Sequence, residues 1–227
     1  MHNMLELANS PWDHVQTCER LAEGVFWVST ASHGGLMVDA STATETLSPE
    51  ARRHGMKWGR FYCYEEDCQC SIPFFERPDW FAVFRRHTPT IPETTANLQT
   101  VKNWEWKYFE AHTGTVLERG ESYCKDEVLF SQDHARDWVC VSATSGSSWE
   151  PVPAGMVKVT AAKGGRDKNG HYEATRDFLV TADEYKTRGP HGFVVDLSRH
   201  QEITKTAEPV PGPEPRASRL LYPIAMA

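Results

Sequence analysis

Two short stretches hold the side chains with the most chemistry to offer. In Ser32-His33-Gly34-Gly35 an imidazole stands beside two glycines, and in Tyr64-Glu65-Glu66-Asp67 three carboxylates follow one another. An imidazole at the mouth of a tight turn, next to backbone amides that no side chain covers, can hold an anion or act as a general base. Carboxylates added to it make a ligand set suited to magnesium, manganese or zinc. His33, Glu65, Glu66 and Asp67 are therefore the candidate catalytic residues, with Ser32, Gly34 and Gly35 as candidate binding residues. The cofactor this set implies is a divalent metal. On a helical turn successive side chains diverge by about 100°, so at most two of the three acids would face one site with His33. Each stretch also has a plainer alternative. The histidine can cap a backbone group inside its turn, and the acids can match the positive end of a helix.

Other motifs carry less. Cys63, Cys68 and Cys70 invite a zinc reading, but structural zinc takes paired cysteine spacings, and a fourth ligand would have to come from Cys124, Cys140 or a histidine. Buried free thiols are the simpler account. Lys163-Gly164-Gly165-Arg166 lacks the full phosphate-loop pattern, and Lys168-Asn169-Gly170 already explains that region as a turn. Trp104-Glu105-Trp106 reads as core and helix face rather than a stacking platform.

The elements that must position His33 and the acids are legible as alternation and punctuation. Residues 25–31 are rich in β-branched and aromatic types and predict a strand. His33-Gly34-Gly35 predicts the turn, because glycine tolerates positive φ, and Leu36 to Asp39 the returning strand. Arg60 to Tyr64 predicts a further strand and Glu65 to Cys70 a helical turn. Upstream, Ser10-Pro11 predicts a short helix or irregular lead-in over residues 11–22. Ser48-Pro49-Glu50 predicts a short helix closed by Gly55. A buried helix is expected around residues 79–84, a linker at 88–92, and one long helix over residues 94–112, where apolar side chains recur at steps of three and four and Gly114 is the stop. Further strands are expected at 138–143 and 156–161, with 171–180 pairing back after the turn. Thr181 to Glu184 has capping-box spacing, and 192–196 predicts a last strand.

The fold class expected is α+β, built of antiparallel hairpins with short helices in a single main domain over residues 1–203. Sub-boundaries near 86–94 or 113–122 are the alternatives. Residues 204–227 carry Pro209, Pro211, Pro213 and Pro215 and predict an extended tail.

The formal net charge is −7. It disfavours broad nucleic-acid binding, which needs a basic face, without excluding a local basic patch, and it suits a basic protein surface as partner. No apolar run is long enough to span a membrane. The first residues lack the basic and apolar segments of a secretory signal, so reduced thiols and a cytoplasmic location are expected.

Val25 through Gly35, followed by Tyr64-Glu65-Glu66-Asp67, resembles an uncharacterised domain-of-unknown-function family of bacterial plasmid and phage proteins. Phe178 to Tyr185 and Gly192 to Asp196 look like a tract that accompanies it. The resemblance implies a mobile-element accessory protein and supplies no activity. Two functions are then expected. The first is a phage or plasmid accessory protein that binds and modulates a host macromolecule, with a host protein as partner and counter-defence as its setting. The alternative is a metal-assisted hydrolase or nucleotide-acting enzyme using His33 with Glu65, Glu66 or Asp67. The separation of His33 from the nearest carboxylate discriminates: beyond about 10 Å they cannot share one ion with ligand bonds of about 2 Å.

Overall fold

The computed structural model describes residues 7–146 and 152–203. The expected tail at 204–227 lies outside the described residues. The chain forms two compact units, Met1–Asp133 and His134–Ala227. Helices and antiparallel sheets occur side by side, so the fold class is α+β.

The first unit runs β1 (Asn9–Ser10), β2 (Asp13–His14), β3 (Thr17–Ala22), β4 (Val25–Ser29), β5 (Gly34–Asp39), α1 (Ala40–Thr46), α2 (Pro49–His54), β6 (Met56–Trp58), β7 (Phe61–Glu65), α3 (Ser71–Glu76), α4 (Pro78–Arg85), α5 (Ile91–Trp104), α6 (Trp106–Thr113) and α7 (Tyr123–Asp133). Its main sheet has the order β3-β4-β5-β7-β6, antiparallel throughout. The three central strands are buried on both faces, which is why they read as near-continuous apolar runs. Alternation sends Val25, Leu36, Val38 and Tyr64 into a core closed by helices through Ala51, Ile72, Phe74, Trp80, Val101 and Tyr108. The intervening residues Phe26, Val28, Met37, Phe61 and Cys63 pack on the opposite face with Val15, and Trp12 leans against them.

The hairpin expected at residues 25–39 is present, with one correction. Its connection is residues 30–33, and Gly34 and Gly35 already belong to β5, paired with Ser29 and Val28. These glycines serve close approach rather than the turn. A β-carbon on Gly34 would lie 2.5 Å from the Val28 carbonyl oxygen. Gly35 takes φ +156°, and a β-carbon there would lie 2.2 Å from the Tyr64 carbonyl oxygen and 2.6 Å from the Trp12 ring.

Three further expectations change. In place of the short helix or irregular lead-in expected over residues 11–22, residues 17–22 form β3, because cross-strand pairing to β4 overrides a Ser-Pro cap signal. Glu65 ends β7 instead of opening a helical turn, and irregular turns fill residues 66–70. The long helix over 94–112 is two helices, α5 and α6, which break at Glu105 (φ −115°, ψ 36°). Glu105 there faces His54 at 3.3 Å. Helix α2 is as expected: the Ser48 hydroxyl accepts from the Ala51 N–H, and Gly55 closes the helix. Gly114 likewise closes α6.

One buried carboxylate ties these helices together. Glu76, at the end of α3, accepts from the Ser48 N–H (2.8 Å) and hydroxyl (2.5 Å) and from the Tyr108 hydroxyl (2.8 Å), with His112 Nδ1 at 3.3 Å. Its side chain is only 6% exposed, so these donors replace the water it loses. Burial raises the Tyr108 phenol well above its ordinary value, and the bond to Glu76 adds to the shift.

The second unit runs β8 (Trp138–Thr144), β9 (Met156–Lys163), β10 (Thr175–Thr181), α8 (Ala182–Lys186), β11 (Val194–Val195) and β12 (Gln201–Ile203). Its antiparallel sheet has the order β11-β8-β9-β10-β12. Val157, Val159, Ala161, Phe178 and Val180 line one face and pack with Phe193 and Val195. The Thr181 hydroxyl caps α8 by accepting from the Glu184 N–H, as the sequence spacing indicated.

Two substitutions test this account. Gly35→Ala sets a side chain against backbone and should cost about 1–3 kcal/mol or more, read as a lowered midpoint in urea unfolding. Glu76→Ala orphans the Ser48 and Tyr108 donors and should cost about 3 kcal/mol, at roughly 1–3 kcal/mol per buried unpaired group. A melt indistinguishable from the parent would show that Glu76 is not the tie described.

Candidate functional site

The β4–β5 connection and the end of β7 meet because β5 lies between their strands. Gly35 pairs with Glu65 across the β5–β7 ladder, and the Gly34 carbonyl accepts from the Glu66 N–H at 3.1 Å. Residues 34 and 66 are thereby held side by side, and the residue before Gly34 is His33.

Thr30 shapes the connection. Its N–H and its hydroxyl both donate to the His33 carbonyl, at 2.8 and 2.7 Å, and the hydroxyl accepts from the His33 N–H at 3.2 Å. The main chain of His33 is thus pinned while its side chain stays 57% exposed. The capping role is carried by Thr30, and the imidazole faces Glu65 instead. Such a hydroxyl turn has a sequence signal, a threonine three residues before the pinned group.

His33 Nδ1 lies 3.7 Å from Glu65 Oε1. His33, Glu65 and Glu66 each offer one ligand atom, and these atoms all fall within 4.8 Å of one another. The separation expected to exclude a shared ion is therefore not found. Glu65 is held from two sides. Its Oε2 accepts from the Asp67 N–H at 2.8 Å, and its N–H reaches Gln69 Oε1 at 3.4 Å. Its Oε1 is buried and receives no hydrogen bond, so a cation or a protonated imidazole is the partner it lacks. Glu66 occupies room that Gly34 leaves: a β-carbon on Gly34 would lie 2.9 Å from Glu66 Oε2.

The other candidates have different places. Asp67 contributes its backbone N–H to Glu65 and is not one of the three clustered groups. Ser32 is exposed in the connection. Gly35 is buried beneath Trp12, a residue the sequence reading left out of the site. The cysteines do not make a metal centre. Among the described residues the His33 group is the cluster with ligand spacing. Cys63 points into the apolar layer of Phe26 and Met37, and burial pushes its thiol up to about 12. Burial, reinforced by Glu65, likewise pushes the Cys70 thiol up to about 12. At neutral pH both free thiols are protonated, which makes them poor nucleophiles.

Three ligand atoms, one from the exposed His33 imidazole and two from carboxylates, would leave coordination positions open to solvent, the arrangement of catalytic rather than structural metal sites. Ligands at 2.0–2.2 Å from an ion are at most about 4.4 Å apart. The cluster therefore needs only a small side-chain adjustment to close on one.

No curated protein and no solved structure matches the chain. One family does: a domain of unknown function, DUF7007, matches residues 6–135. The match contains every residue of the His33 cluster and ends beside the division between the two units at Asp133. The tract at 178–196 that the resemblance included lies outside it. With more than half of its length matched, the chain belongs to the DUF7007 family.

Proposed function

We propose that the protein is a metal-assisted hydrolase in which His33, Glu65 and Glu66 hold a divalent cation. The observation that carries this reading is the spacing of the three ligand atoms, all within 4.8 Å. The buried, unbonded Glu65 Oε1 supports it, because a cation would satisfy that oxygen. A mixed imidazole–carboxylate set suits zinc or manganese better than calcium, which takes oxygen ligands alone. Held by these three side chains, a zinc ion would supply the nucleophile by lowering the pKa of a bound water toward neutral.

Thermal melts with manganese, zinc, magnesium or calcium test the site. A cation present at a hundredfold its dissociation constant should stabilise the protein by about 2.7 kcal/mol. His33→Ala should melt within about 0.5 kcal/mol of the parent without metal, since its ring is exposed, and should lose most of the metal-induced shift. Glu66→Gln should lose it as well. No shift with any of the four ions at millimolar concentration would remove the site.

The second reading is a phage or plasmid accessory protein that binds a host protein, with counter-defence as its setting and the cytoplasm as its compartment. The net charge of −7 supports a basic partner, and the six free thiols suit a reducing compartment. Charge and resemblance support this function, whereas the metal site is supported by the spacing of three named side chains, which places it first. Capture from lysates of several bacterial hosts should return one stoichiometric partner. Recovery of none would count against it.

A further inference from the structure

The charge of the chain is not spread evenly. Residues 52–60 read Arg-Arg-His-Gly-Met-Lys-Trp-Gly-Arg, with four permanent cations and no acid, in a protein whose net charge is −7. The fold gathers part of this run into a groove of about 490 Å³ between the end of α2 and the β6–β7 hairpin, lined by Pro49, Arg52, Arg53, Gly55, Lys57 and Tyr62.

Each cation has a definite situation. The Arg52 guanidinium donates to the carbonyls of Ala43, Thr44 and Leu47. It is held by the end of α1 and has no carboxylate partner among the described residues, so its charge is fixed and not neutralised. The Lys57 ammonium lies 5.2 Å from the centre of the Tyr62 ring, also without a carboxylate partner among the described residues. Arg53 pairs with Glu50 at 2.8 Å but is 65% exposed. Exposed pairs of this kind contribute about 0–1 kcal/mol, so a phosphate can compete for the guanidinium. Arg60 is set apart, paired with Asp39 at 3.0 Å.

The floor is shaped by Gly55, where a β-carbon would lie 2.9 Å from the Tyr64 ring and 3.2 Å from Tyr62 Cβ. Lys57 and Tyr62 are direct partners across the hairpin, and β6 is the outer strand of the sheet. The groove is therefore open along a sheet edge. It is independent of the His33 cluster, because alternation along β7 sends Tyr62 and Tyr64 to one face and Glu65 to the other.

We propose that this groove binds single-stranded nucleic acid, with Arg52, Arg53 and Lys57 on successive phosphates and Tyr62 against a base. Cations beside an aromatic ring match a chain that alternates phosphate and base. A concave space of this size falls in the range of small-ligand pockets, about 300–1,000 Å³, and, open along the sheet edge, it suits a short stretch of flexible strand that seats one base while neighbouring phosphates meet the cations at its rim. The footprint is local, which reconciles it with an acidic whole.

The test is fluorescence anisotropy of the full chain with a labelled oligothymidylate at several salt concentrations. Three phosphate contacts predict a slope of log K against log salt of about −2, at roughly −0.7 per phosphate for single strands. Arg53→Glu/Lys57→Glu should weaken binding at least tenfold and flatten the slope. Lys168→Glu/Lys186→Glu, with the same change of net charge in the other unit, should change it less than twofold. Lys57→Gln keeps the test open if the double variant melts early, and should lower the slope by about one phosphate contact. No binding at low salt, or equal loss in both double variants, overturns the proposal. So does equal binding of polyglutamate or of phosphatidylserine vesicles, which would make the groove a general polyanion surface. The metal site is read by melts and the groove by anisotropy, so either can fail alone.

Discussion

The first unit depends on how closely β5 lies against β7 and beneath Trp12. At Gly35 there is no room for even a methyl group, since a β-carbon would lie 2.2 Å from a backbone oxygen and 2.6 Å from the indole. That approach fixes the register in which Gly35 faces Glu65 and Leu36 faces Tyr64. A shift of one residue would send Leu36 and Val38 to the wrong face and Met37 to theirs. The same register carries the Gly34 carbonyl to the Glu66 N–H and so sets His33 beside two carboxylates. Core packing and candidate site are thus two results of one constraint.

A second constraint acts on the helices. A carboxylate as buried as Glu76 is tolerated only when it is fully hydrogen-bonded, and its donors come from Ser48 and Tyr108, with His112 beside them. Ser48 also caps α2. The group that satisfies the buried charge therefore fixes the start of the helix whose other end carries Arg52 and Arg53. The cationic groove is lined by the same short helix, from Pro49 to Arg53, with Arg52 held by carbonyls of α1.

The electrostatic layout follows from this separation. The acids near His33 gather at one end of β7, and the cations of residues 52–60 gather around its hairpin with β6. The strand presents alternate residues to opposite faces, so opposite charges a few residues apart in sequence need not neutralise one another. An acidic protein can in this way keep a local basic surface.

By itself the sequence determined the strands whose apolar runs are buried on both faces, the hairpin of residues 25–39, helix α2 with its Ser48 cap and Gly55 stop, the Gly114 stop and the Thr181 cap. These are local signals, in which a side chain bonds to, or a glycine relieves, backbone a few residues away. It also singled out His33, Glu65 and Glu66 as residue types with chemistry in common. Only the tertiary structure decided that these three meet and that Asp67 does not. The meeting depends on the β5–β7 ladder, which joins residues some thirty positions apart and leaves no local trace. The two glycines after His33 look like a turn and are strand residues, because what they answer to is the Val28 carbonyl at Gly34 and, at Gly35, the Tyr64 carbonyl and the Trp12 ring together with a φ of +156°. Strand β3 and the break at Glu105 escaped for the same reason. Gly24 after β3 serves a helix stop and a hairpin turn alike, so only the pairing with β4 decides between them, and Glu105 sits in a run with no glycine or proline, with His54 opposite the break.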